Sequence, residues 1–67
     1  MDLKEFGQKL AKIRQEKGMS AYALSLKIEK DPSYIHKVEN AKMNISLTSL
    51  FAICNALEIT PDVLFVA

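Results

Sequence analysis

The chain has no tryptophan, one cysteine, one histidine, two glycines and two prolines in 67 residues. These scarcities exclude whole classes of chemistry. A lone Cys54 can form neither an internal disulfide nor a multi-cysteine zinc site, and it fits a reducing compartment. His36 has no second ligand at metal spacing, which argues against a metal centre. There is no histidine–cysteine–acid set and no glycine-rich phosphate loop, so an enzyme is not expected. No apolar run reaches the roughly 18 residues a membrane span needs. Met1-Asp-Leu-Lys-Glu5 also lacks a signal-peptide pattern. A cytoplasmic protein is expected, without cofactor, metal or small-molecule ligand. No internal repeat, low-complexity tract or linker divides the chain, so residues 1–67 read as one domain.

What is present is apolar material and an uneven charge. Apolar residues make up 49% and charged residues 25%, which suits a globular domain rather than a disordered tail. The net charge of +1 is unremarkable, but its distribution is not. All nine Lys and Arg lie in residues 1–42 against six acids, whereas residues 43–67 carry only Glu58 and Asp62. The positive field therefore belongs to the N-terminal part.

Helix signals punctuate that part closely. Asp2 and Glu5 match a capping box, followed by Leu3, Phe6, Leu10 and Ile13 at helical spacing, with Gly7 and Lys17 off the stripe. Gly18 supplies a left-handed stop, which predicts a helix over residues 3–17. Ser20 caps a second helix to about Ile28, with Leu24 and Ile28 inward. Asp31 caps a third with Pro32 at its first position, where a missing N–H costs nothing. Ile35 and Val38 there face the core; Tyr34, His36, Lys37 and Asn40 do not. Ser46 caps a fourth helix with an apolar stripe of Leu47, Leu50, Ile53, Cys54 and Leu57, which makes Cys54 structural. Thr60-Pro61 opens a last helix over residues 62–67. The expected fold is all-α, five short helices around one core. Start signals at Ser20 and Asp31, eleven residues apart, leave room only for a helix-turn-helix.

The residues also carry a family likeness. They include Leu10-x-x-Ile13-Arg14-x-x-Lys17-Gly18-Met19-Ser20, then Leu24 and Ile28, then Ser33-x-Ile35-x-x-Val38-Glu39-Asn40. They continue through Lys42-x-Asn44-x-Ser46-Leu47-x-x-Leu50 and Ile53-x-x-Ala56-Leu57-x-Ile59-Thr60-Pro61-Asp62-x-Leu64-Phe65. Over nearly its whole length the chain resembles the Cro/repressor-type (Xre-type) helix-turn-helix domains, lambda-repressor-like in fold. The resemblance implies a sequence-specific regulator of transcription that binds double-stranded DNA. Operator occupancy, with no sensor or cleavage domain expected, suits a repressor, and activation through polymerase contact stays open.

The resemblance also implies residue roles. Arg14 and Glu39 would pair beneath the third helix as scaffold. Base contacts would come from Ser33 and Lys37, with Pro32, Tyr34 and His36 beside them. Phosphate contacts would come from Asn40 and Lys42, more weakly from Tyr22 and Lys27, and from backbone N–H groups after the third helix and at the start of the second. Val63, Leu64, Phe65 and Val66 are four consecutive apolar residues at the end where the family often dimerises, so a weak two-fold homodimer through Phe65 or Val66 is expected.

Departures from the family pattern matter too. Ala21 replaces a frequent glutamine, and Pro32 offers no donor where a long polar residue is common. Lys30 replaces an apolar turn residue, and Glu29 and Ala41 stand at glycine positions. Either those two turns keep positive φ, at about 1 kcal/mol each, or they are reshaped. Ala21 and Pro32, together with the apolar Ala23 and Leu26 on the second helix, leave open a protein-interaction module with weak or no DNA binding.

Overall fold

At the N-terminal end of the first helix the Asp2 carboxylate accepts the Glu5 N–H at 2.8 Å. Ser20 and Ser46 do the same for Ala23 and Ser49 at 3.0 and 3.1 Å. The computed structural model describes residues 1–65, and among these there are five helices and no strand. They are α1 (Leu3–Glu16), α2 (Ala21–Lys27), α3 (Tyr34–Glu39), α4 (Leu47–Leu57) and α5 (Asp62–Phe65). No helix among the described residues is long and apolar enough to cross a membrane.

The third start signal works differently from expectation. Pro32 and Ser33 form a turn and α3 begins at Tyr34, so Pro32 is not the first helical residue. The reason lies in two hydroxyls. Asp31 holds the Ser33 N–H at 3.0 Å and the Ser33 hydroxyl at 2.9 Å, closing a tight turn. The Ile35 N–H is then taken at 3.0 Å by Ser25, a fully buried serine of α2 that itself donates to the Ala21 carbonyl at 2.8 Å.

The C-terminal ends share one device. Gly18, Glu29, Ala41 and Glu58 have φ of 70°, 59°, 58° and 58°. After each, the next N–H reaches back to the helix: Met19 to Arg14, Lys30 to Ser25, Lys42 to Lys37 and Ile59 to Cys54, at 2.9–3.2 Å. These bonds satisfy carbonyls the helix leaves open. Glu29 and Ala41 therefore keep positive φ and the turns are not reshaped. Glu58 adds a third non-glycine residue of this kind. Each of the three carries about 1 kcal/mol of backbone strain, held in place by its reach-back bond.

Phe6, Leu10, Ile13, Leu24, Ile35, Val38, Leu50, Ile53, Cys54, Leu57 and Leu64 form the core. Four residues depart from their expected places. Leu3 and Leu47 fit their stripes by spacing but are exposed, because little packs over the first turns of α1 and α4. Tyr34 is half-buried and packs against the core. Gly7 lies on the buried face of α1, where a Cβ would stand 2.3 Å from the Glu39 carbonyl oxygen. Only glycine lets α1 and α3 approach so closely.

One ion pair crosses the same contact. Arg14 Nε donates to Glu39 Oε2 at 2.6 Å and Nη2 to Oε1 at 3.0 Å, while Nη1 donates to the Met19 carbonyl at 2.8 Å. The side chains are only 12% and 8% exposed, so the pair is bidentate and largely desolvated. Removing one partner leaves the other charge stranded. Arg14→Met should cost about 3–5 kcal/mol in urea unfolding. The double variant with Glu39→Met should recover a large part of that loss. Gly7→Ala should cost about 1–3 kcal/mol by forcing α1 off α3, read as a lower Tm; an unchanged Tm would show that the contact yields freely.

Candidate nucleic-acid interface

The polar face of α3 is built from both ends. Ser25 and Asp31 hold its first turn, and Arg14 holds its last residue, so six residues too few for an independent helix stay helical. Ile35 and Val38 turn inward and are buried. His36 and Lys37 then face solvent, as does Pro32 just before the helix. Ser33 and Lys37, four residues apart, share one face.

Ser33 is half-buried and its hydroxyl hydrogen points to Asp31. Hydrogen bonds from the Ser33 N–H and then its hydroxyl hold the Asp31 carboxyl below the ordinary aspartate value, with the Lys37 charge adding to them. Tyr34 lies with the Lys30 ammonium 5.3 Å from its ring centroid. That places a cation at the turn between α2 and α3.

After α3, Asn40 ends the helix and its side-chain amide donates to the His36 carbonyl at 2.7 Å, with the His36 ring nitrogen 3.5 Å away. Asn40 is nonetheless exposed. Lys42 is exposed just beyond. The backbone N–H groups of Asn40, Ala41 and Lys42 differ from expectation. They bond to His36, Val38 and Lys37 carbonyls in the helix cap and are not available to a phosphate. At the start of α2, where a helix leaves its first N–H groups open, the expectation keeps its geometric basis. Tyr22 and Lys27 stand exposed on α2.

Three residues of this region were not expected from sequence as parts of it. By sequence Asp31 is only a cap, although an aspartate two residues before a serine is a known way to fix a turn. Lys30 stands there only as a departure from the family pattern. Ser25 carries no local signal, because its role is to satisfy a backbone group ten residues away.

At the C-terminal end, Phe65 stacks on Phe6 with centroids 5.8 Å apart and rings inclined by 28°, yet remains half-exposed. It borders an open apolar groove of about 460 Å³ with Met1, Leu3, Ile45 and Leu50. Val66, the other expected dimer contact, lies outside the described residues. Cys54 is buried in α4, and burial, with the Asp62 charge adding to it, pushes its thiol up. Among the described residues no three His, Cys, Asp or Glu side chains gather as metal ligands would.

Known proteins share this arrangement. A helix-turn-helix family model matches residues 10–64. The control protein C.MunI from Mycoplasma sp. is 41% identical over 61 residues, covering 90% of this chain and 82% of that protein. The solved structure of the restriction-modification controller protein C.AhdI from Aeromonas hydrophila superposes with a TM-score of 0.91 at 39% identity. The match covers 96% of this chain and 97% of that one. The clp gene regulator ClgR from C. glutamicum superposes with a TM-score of 0.84 at 27% identity, over 92% of this chain and 81% of that one. Matched in sequence across α1 to α5 and in shape over nearly all its length, this chain belongs to the helix-turn-helix family.

Proposed function

We propose that this chain is a sequence-specific DNA-binding regulator of transcription of the restriction-modification controller kind, acting as a homodimer that occupies an operator. The observation that carries the reading is the likeness to C.AhdI, which spans 97% of that controller rather than a motif within it. The geometry supports it. A clamped α3 presents Ser33 and Lys37 on one face, with Asn40 and Lys42 following at its end.

The roles divide by chemistry. Lys37 has only donors to offer and suits the paired acceptors of guanine in the major groove. Ser33 and the half-buried Tyr34 lie beside it. Pro32 contributes shape alone, and His36 serves as a polar neighbour. Lys42, Asn40, and Tyr22 and Lys27 on α2 meet phosphates, which position the protein without reading sequence. Arg14 and Glu39 are scaffold and touch no DNA. Phe65, exposed at the rim of an apolar groove, supports a two-fold interface at the α5 end. Two copies would place two α3 helices on half-sites one helical turn apart.

Gel shifts and anisotropy titrations against promoter and random duplexes test this. Lys42→Ala should weaken binding to all duplexes and lower the salt slope by about 1. Lys37→Ala should cost about 1–3 kcal/mol and relax preference at one base position. Absence of binding to every duplex at low salt would reject the reading in favour of an interaction module, for which the exposed Leu26 and Ala23 of α2 would be the surface. Sedimentation equilibrium should show self-association that Phe65→Asp abolishes. A wild-type monomer at millimolar concentration would count against the dimer.

A further inference from the structure

We infer that Asp31 sets the polarity of the Ser33 hydroxyl and so directs one position of the bound DNA to a base with an amino group in the major groove, adenine or cytosine. This inference rests on the DNA-binding reading above and names what that face selects. An ionised carboxylate has no hydrogen to give, so across the 2.9 Å between the two side chains it is Ser33 that donates. The same Asp31 oxygen also holds the Ser33 N–H at 3.0 Å, which ties the serine at two points and limits its rotation.

With its single hydrogen committed, the Ser33 hydroxyl retains only lone pairs. In the major groove adenine N6 and cytosine N4 are donors, while guanine N7 and O6 and thymine O4 are acceptors. An acceptor-only serine bonds the first pair and sets lone pair against lone pair with the second. A serine free to rotate would accept either. Asp31 is exposed, and its other carboxylate oxygen has the same acceptor polarity, which reinforces the choice. Asp31 is thus a positioning residue whose partner reads the base. One turn on, Lys37 has the opposite polarity. The bound sequence should therefore carry an amino-bearing base close to a guanine.

The test uses the full chain as wild type, Ser33→Ala, Asp31→Ala and Asp31→Asn. Wild type selects from a randomised duplex pool, and single-base variants of the winning duplex are then titrated with all four proteins. Wild type should prefer adenine or cytosine over guanine and thymine by roughly tenfold at one position, and Ser33→Ala should flatten that position alone. Asp31→Ala should flatten the same position, whatever it does to overall affinity. Asp31→Asn removes the charge but keeps the accepting oxygen, and should retain the preference.

Loss of preference in Asp31→Asn as complete as in Asp31→Ala would mean that charge, not hydroxyl polarity, is responsible, and would overturn the inference. So would a wild-type preference for guanine or thymine at the position Ser33→Ala flattens, a result that stands even if Asp31→Ala fails to fold. Either leaves the DNA-binding reading intact. Failure of wild type to enrich any duplex overturns that reading, and the inference with it.

Discussion

The direction in which α3 points depends on the Arg14 guanidinium. Its planar set of donors ties α1, from which it comes, to two other parts of the chain: the turn before α2 through Met19, and the end of α3 through Glu39. A lysine could not replace it, because a single ammonium cannot satisfy both carboxylate oxygens and a carbonyl in one plane. Glu39 is held at two levels. Its carboxylate is clasped by Arg14, while its backbone carbonyl rests in the space Gly7 leaves. Positions 7 and 14 are two helical turns apart on one face of α1, so the two contacts fix α3 in both distance and angle.

The far end of α3 is held by different chemistry. Ser25 takes the Ile35 N–H from inside the core, and Asp31 ties Ser33 from outside. A helix of six residues cannot sustain itself in water; held at both ends, it can present side chains in fixed positions. That rigidity limits the entropy lost on meeting DNA. It also means that side chains on the presented face are partly committed to each other, as Ser33 is to Asp31 and Asn40 to the His36 carbonyl.

Much of this was legible in the residues. Asp2, Ser20 and Ser46 are caps whose chemistry is local, and each forms its expected bond. The apolar stripes of α1 and α4 identified Leu10, Ile13, Ile53 and Leu57 by period alone. The stripe rule failed at Leu3 and Leu47, since periodicity marks a face but not whether another element covers it. It failed the other way at Gly7, whose lack of a side chain hides it from any apolar count although the closest helix approach depends on it. Backbone N–H groups at Ala41 and Lys42 read as open to phosphate by sequence, but the helix cap consumes them.

The sequence by itself determined the helix count, the order of the elements, the helix-turn-helix spacing and the identity of the outward polar residues. Those follow from capping residues and hydrophobic period, which act within a few positions. That Glu29, Ala41 and Glu58 take a left-handed conformation which a lone residue would avoid was decided only in the folded chain, where each is held by a bond back to the helix it ends. Tertiary structure alone brought Ser25 to Ile35 and Gly7 to Glu39, contacts between residues far apart in the chain. The folded turn at Asp31 decided the polarity of Ser33, for a serine is donor or acceptor only according to what stands beside it.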